Sequence, residues 1–193
     1  MIFPYRTHIS LTKIEKLTNE KLNKTFINQH LKPYGFYYSI KDEWYIFFNN
    51  KMEIYFKHWL KYIYEVKLNN NIFININDKP DTTKILLIKN IKNIDIFIKK
   101  YCNYKEKYKL DFYKLRKSYG GIEIHNPHKL ALQIIKSKYN LNSISEYLFI
   151  RNNFNDNYKI YNLIIFLLSL DVSGGCIWDI NLIKYIKLIN TTK

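Results

Sequence analysis

Ile85-Leu86-Leu87-Ile88, followed after Lys89 and Asn90 by Ile91, Ile94, Phe97 and Ile98, is the stretch on which the fold turns. Four consecutive apolar residues predict a central strand covered on both faces. The spacing of three and four that follows predicts an amphipathic helix over 91–102. Outward from this pair, strand-like runs occur at Ile2 to Ser10, Phe36 to Ile40, Tyr64 to Leu68 and Ile122 to Ile124. Ile72 to Ile76 is expected to pair back on 64–68 as a hairpin through Asn69-Asn70-Asn71. Helical spacing is expected at 11–17, and from Glu43 behind a capping Asp42, with Trp44, Phe47 and Phe48 on one face. Further helices are expected at 53–62, 111–118, 128–138 and 144–150, and a last one at 180–189. Gly120-Gly121 reads as the stop of the helix before it, the Asn-rich 151–158 as a surface loop, and Asp171 to Asp179 as a turn. Residues 161–170 re-enter the core as a buried strand or helix. Strands and helices alternate here without regular βαβ repetition. That predicts an α+β chain, residues 1–193 forming one domain, with a mostly antiparallel sheet and flanking helices.

Composition fits a packed domain. Large rings are abundant, with 18 Tyr and 12 Phe, and Gly and Pro are scarce at 5 and 4, which excludes linker-like and collagen-like chains. Lys and Arg number 31 against 16 acidic residues, a net charge of +15. Such an excess attracts polyanions, so nucleic acid is a candidate partner. Part of it reflects a Lys-, Asn-, Ile- and Tyr-rich bias typical of AT-rich coding. Two cysteines, Cys102 and Cys176, are too few for a disulfide scaffold or a zinc site. The longest apolar run, Leu163 to Leu170, falls well short of the about 20 residues a bilayer helix needs. Met1 to His8 has no signal-peptide pattern, so an intracellular location and no membrane span are expected.

The common catalytic motifs, among them glycine-rich dinucleotide and phosphate loops and a nucleophile elbow, are absent. His125 and His128 flank Pro127 with no partnering cysteine or carboxylate cluster, and read as loop or helix-cap histidines; no metal is expected. Arg6 and His8 share one face of the first strand, because side chains alternate along it. Tyr37 and Tyr38 must face opposite ways, so only one of them can line a site. Glu123 stands between two isoleucines after Gly120-Gly121, an odd choice for a short buried strand unless it faces a cleft.

Tyr5-Arg6-Thr7-His8-Ile9-Ser10, Lys32-Pro33-Tyr34-Gly35 with the strand and Asp42-Glu43-Trp44 behind it, Tyr119-Gly120-Gly121-Ile122-Glu123-Ile124, and Ser173-Gly174-Gly175-Cys176-Ile177-Trp178-Asp179 occur in one order. That order resembles a group of uncharacterised proteins of large DNA viruses and phages. The resemblance spans Tyr5 to Asp179, and its most specific piece is the closing motif. Residues 139–170 depart from it, lacking the Trp-rich approach to that motif.

A more distant resemblance, to the ADP-ribosyltransferases, rests on a His in the first strand, a Gly-x-Tyr strand start and a Glu on a later strand. It implies a possible ADP-ribosyltransferase-like fold and NAD as substrate, with an unknown acceptor. His8 would hold ribose hydroxyls, Tyr37 (or its neighbour Tyr38) would stack on the nicotinamide ring, and Glu123 would stabilise the cationic sugar as nicotinamide leaves. Ser39 would help hold the nicotinamide amide, and Arg6 would meet the pyrophosphate. Two readings compete with this enzyme. One is a basic nucleic-acid-binding protein without catalysis. The other is a structural or host-interaction protein that keeps the fold and has lost activity.

Overall fold

The computed structural model describes residues 5–18, 35–51, 61–102, 110–150, 158–170 and 172–191. Eight strands among them form one sheet: β1 (Arg6–Ser10), β2 (Phe36–Ile40), β3 (Tyr62–Leu68), β4 (Phe73–Ile74), β5 (Asp81–Ile88), β6 (Tyr119–Ile124), β7 (Gly174–Ile177) and β8 (Ile183–Thr191). Their order across the sheet is β4-β5-β6-β7-β2-β1-β3-β8. Only β4–β5 and β5–β6 pair in parallel, and the other five pairings are antiparallel. The helices are α1 (Glu43–Lys51), α2 (Ile94–Tyr101), α3 (Phe112–Ser118), α4 (Pro127–Tyr139), α5 (Ile144–Ile150) and α6 (Tyr158–Leu168). The fold is therefore α+β, with a mostly antiparallel sheet and flanking helices.

The decisive stretch behaves as read. Ile85, Leu86 and Ile88 are buried in β5 between β4 and β6. Ile94, Phe97, Ile98 and Tyr101 form the buried stripe of α2. The sheet has a core on each face. On the helical side, Leu86, Ile122, Ile124 and Cys176 meet Phe97, Leu115, Ile134, Phe166 and Leu167. On the other side, Phe36, Tyr38, Val66, Leu68, Ile85, Ile177 and Leu182 pack together, with Ile14 and Leu17 laid over them. At about 25 cal/mol per Å² of apolar area, these two burials dominate the stability of the fold.

Several expectations are corrected. Residues 11–17 are not helical; the Ile14 amide donates to the Tyr64 hydroxyl at 2.7 Å instead of to a helical carbonyl. Their spacing of three, Ile14 to Leu17, serves a non-helical segment that seats both side chains on the core. Ile72 to Ile76 does not return to 64–68. Both edges of β3 are already taken by β1 and β8, so Phe73–Ile74 pairs in parallel with β5. Gly120-Gly121 lies inside β6. A side chain at Gly120 would collide with the Thr82 carbonyl and Leu182, so these glycines permit close strand packing and do not stop the helix. Asp171 to Asp179 is not all turn, since Gly174–Ile177 is a strand between β2 and β6.

The expected helix at 180–189 is a single 3-10 turn, Ile180–Leu182, and then β8. The error has a definite cause. Leu68 pairs with Ile183 but Lys67 pairs with Tyr185, so Lys184 is an extra, bulged residue. The bulge stretches the strand's period of two to a spacing of three between Ile183 and Ile186, which imitates a helix. The expected helix at 53–62 lies outside the described residues except for Lys61 and Tyr62, the latter in β3, and the expected loop at 151–158 does so except for Tyr158, which begins α6.

Candidate functional site

The alternation of β1 puts Thr7 on the helical side of the sheet and Arg6 and His8 on the other. β2 divides in the same way. Tyr37 and Ser39 face the helices, whereas Phe36 and Tyr38 face the second core. Ser39 is consumed by structure. The Thr7 hydroxyl donates to the Lys41 carbonyl at 2.6 Å, so the Ser39 hydroxyl, 2.9 Å from Thr7 Oγ1, is the donor of that pair. Tyr37 packs beside Cys176, its partner in the β2–β7 register. Burial, together with Cys176, raises the Tyr37 phenol far above its ordinary range. Burial also pushes the Cys176 thiol up to about 12, against the opposing pull of Tyr37 and Arg116.

Tyr38 turns to the other face, where β6 and β7 bring Glu123 to it. In register, Tyr38 sits opposite Gly175, and Gly175 opposite Glu123. The missing side chain at Gly175 lets the phenol pass over β7, and a methyl group there would run into the Tyr38 ring and hydroxyl. The Tyr38 hydroxyl donates to Glu123 Oε2 at 2.7 Å.

Arg6 reaches the same carboxylate through two bonds, Nε to Oε2 at 2.8 Å and Nη2 to Oε1 at 3.2 Å. His125 Nε2 lies 2.8 Å from Oε1. A carboxylate bound to an arginine only accepts, so this nitrogen carries the proton. Oε1 and Oε2 thus accept two bonds each, filling the about four acceptor positions a carboxylate offers.

The electrostatics follow from this shell. Burial pushes the Glu123 carboxyl upward, but the bonds from His125, Arg6 and Tyr38 outweigh it, and its pKa lies below the ordinary value. Burial lowers the Arg6 guanidinium, and Glu123 more than reverses that. Tyr38 is raised well above its usual range, by burial first and by the Glu123 charge second. Glu123 is therefore an anion and Arg6 a cation, with Tyr38 neutral. Its side chains are unequally accessible: Glu123 is 1% exposed, Arg6 15% and His125 18%. The Arg6 guanidinium also rests between the rings of Tyr5 and Phe73, 4.7 and 4.9 Å from their centroids.

His8 stands on the same face but is held separately. Its Nδ1 lies 2.6 Å from the Tyr37 carbonyl, which can only accept, so Nδ1 bears the proton and Nε2 is left as an acceptor. Its ring sits on Phe36 at 4.4 Å and near Tyr64 at 6.2 Å. Burial lowers its pKa to about 4, partly opposed by the Tyr37 carbonyl, so it is neutral at pH 7. The structure thus joins Arg6, Tyr38 and Glu123, sets His8 on their face without a hydrogen bond to Glu123, and turns Tyr37 and Ser39 away.

His125, read from sequence as a loop or cap residue, belongs to the cluster. The signal for it was period two. Glu123 and His125 are two apart, although β6 itself ends at Ile124. Just beyond the end of β6, the His125 amide still donates to the Ile88 carbonyl at 3.0 Å, which holds its side chain beside Glu123. The corner behind it is fixed by Asn126, whose φ is 50° and whose amide donates to the Ser173 hydroxyl at 3.0 Å. The Ser173 amide in turn donates to Glu43 Oε2 at 2.6 Å. The closing Ser-Gly-Gly segment thereby holds both the Glu123 partner Tyr38 and the turn after His125.

Among the described residues, no group of three or more His, Cys, Asp or Glu is placed to hold a metal ion. Cys102 and Cys176 are both buried, and neither forms a disulfide. No described helix is long and apolar enough to cross a membrane. Compared with known protein families, curated proteins and solved structures, the chain matches none.

Proposed function

We propose that the sheet face carrying Glu123, Arg6, Tyr38 and His8 is an NAD site, and that the protein is an ADP-ribosyltransferase-like enzyme. The observation that supports this most is the Glu123 carboxylate, buried at 1% exposure and bonded to both Arg6 and Tyr38. Those three residues come from separate segments, each assigned to one ligand by the resemblance to ADP-ribosyltransferases. In this reading Arg6 meets the pyrophosphate, and the His8 Nε2 acceptor takes a ribose hydroxyl proton in a hydrogen bond. As Arg6 turns from Glu123 to the pyrophosphate, two acceptor positions of the carboxylate are freed, and Glu123 faces the sugar carbon as its bond to the nicotinamide nitrogen breaks and the electron pair leaves with neutral nicotinamide. The acceptor's nucleophilic atom then bonds to that carbon and gives up its proton. Tyr38, at 1% exposure, has no free ring face to stack on a ligand, so its role here is to orient the carboxylate.

The same cluster favours a second reading. All acceptor positions of Glu123 are occupied, which is also how a purely structural buried charge is satisfied. In that case the fold is an inactive interaction module and the Arg6–Glu123 pair fixes strand register. Nicotinamide release from NAD separates the two. The enzyme reading expects release by the wild-type protein and its loss in Glu123→Gln with the fold intact. No release by a folded wild-type protein, or equal release by both proteins, would remove Glu123 from catalysis.

A further inference from the structure

Away from Glu123, the helix leading into β6 carries an unusual surface. Phe112 and Leu115 anchor α3 in the core. Tyr113, Arg116 and Lys117 fall on the opposite side, at the i, i+3 and i+4 spacing of one helix face. Tyr113 is 62% exposed, and the Lys117 ammonium lies 4.2 Å from its ring centroid. Lys114 beside them is also exposed. The helix has no acidic side chain, and its capping Asp111 is engaged by the Lys114 amide at 2.8 Å.

The face continues into an open cleft. Arg116 lies 6.0 Å from the Trp178 ring, on the wall of a cavity of about 290 Å³ also lined by Thr82, Gly120, Asp179 and Asn181. The one acidic group in that lining is Asp179, whose Oδ1 accepts from the Asn181 amide at 3.0 Å and caps the 3-10 turn. Trp178 is fixed by its indole N–H, which donates to the Tyr119 carbonyl. Trp178 is itself buried, at 5% exposure, so the cleft presents the Arg116 guanidinium, one carboxylate and polar edges, directly beside a helix that presents the exposed Tyr113 ring and two ammonium groups.

We propose that the outer face of α3 and the adjoining cleft bind single-stranded nucleic acid. One exposed ring, Tyr113, is set among three cations, Lys114, Arg116 and Lys117, on this surface. An exposed ring is suited to an unstacked base, and its neighbouring ammonium groups to the phosphates on either side. An acidic polypeptide would use the cations and leave Tyr113 idle. A duplex would offer it no open base. The net charge of +15 adds general attraction, and the α3 face supplies the contact that distinguishes a single strand from any other polyanion.

Fluorescence anisotropy of labelled thymidine and uridine 12-mers over a salt series tests this directly. The wild type is expected to bind, with affinity falling as salt rises. Tyr113→Ala removes a mostly exposed side chain and leaves the fold intact. It should weaken binding at least about fivefold, since each stacked base contributes about 1–3 kcal/mol, while keeping the salt slope. Lys114→Glu with Lys117→Glu should weaken binding and flatten the slope by roughly 1.4, two phosphate contacts at about 0.7 each. The same charge change on α4, Lys129→Glu with Lys136→Glu, should leave affinity within about twofold. The proposal is overturned if the wild type binds no oligonucleotide, or if Tyr113→Ala binds as tightly as the wild type. It is equally overturned if the α4 pair costs as much as the α3 pair, or if a duplex or polyglutamate competes as well as the single strand.

Discussion

Tyr38 donates its hydroxyl to Glu123 Oε2 at 2.7 Å although the two residues stand on strands that are not neighbours. The intervening strand contributes Gly175 at that level, and the phenol crosses above its backbone. Three segments far apart in the chain are thereby committed to one arrangement. Each can be perturbed separately.

Removing the hydroxyl alone is the mildest perturbation. Tyr38→Phe keeps the ring in the second core but takes one of four donors from a buried carboxylate. A bond to a charged acceptor contributes about 1.5–3 kcal/mol. Equilibrium urea unfolding should show a loss in that range with an unchanged denaturant slope.

Gly175→Ala should be more damaging, because the new methyl group meets the Tyr38 ring. The cost should depend on what it collides with. In a Tyr38→Leu background the obstructing phenol is gone, so the added loss from Gly175→Ala should shrink by more than about 0.5 kcal/mol, the usual limit of additivity. Additive losses in this double-mutant cycle would show that the glycine serves the backbone and not the phenol.

The Arg6–Glu123 pair should follow the rule for buried ions. Arg6→Met strands a carboxylate in the core and should cost about 3–5 kcal/mol. Adding Glu123→Met removes the stranded charge and should recover part of that loss. Thermal or urea unfolding of the two variants provides the comparison, and NAD binding should be absent from both.

Acid should destabilise the protein in two steps. His8 is held neutral with a pKa lowered from 6.5 to about 4, so the unfolded chain binds the extra proton between those values. Stability from this residue is complete above pH 6.5 and declines as pH falls toward 4, by up to about 3 kcal/mol. Glu123 acts in the same direction at lower pH. Its carboxyl lies below the ordinary 4.5, so its contribution is present above that value and is lost as pH falls through the folded-state pKa. In His8→Gln, whose side-chain amide can still donate to the Tyr37 carbonyl, the decline between 6.5 and 4 should flatten. Unfolding free energies measured at intervals across pH 3.5–7.5 check both steps.

What could be read from the chain beforehand divides along physical lines. Segments whose periodicity comes from one strong burial pattern, such as Ile85 to Ile88 and the Ile94–Phe97–Ile98 stripe, were legible, because local spacing and tertiary packing agree there. Ile180 to Ile189 was misread because a bulge at Lys184 changes the spacing from two to three, and a bulge leaves no mark in the sequence. Glu123 was legible as a carboxylate out of place between isoleucines. Arg6 was legible as the same-face neighbour of His8. The choice between Tyr37 and Tyr38 was not, since alternation says only that they oppose each other; which one faces Glu123 depends on the β2–β7–β6 register. His125 was missed because, just past the end of β6, its amide is held by the Ile88 carbonyl across a parallel pairing that local sequence does not reveal.

The NAD reading is tested most directly by calorimetric titration of NAD into the purified protein, beside Glu123→Gln and Arg6→Met shown to be folded. Saturable binding by the wild type, displaced by ADP-ribose and lost or strongly weakened in Arg6→Met, is the predicted result. No heat of binding at millimolar NAD, from wild-type protein that melts cooperatively, would contradict it and leave the Glu123 cluster as a structural lock.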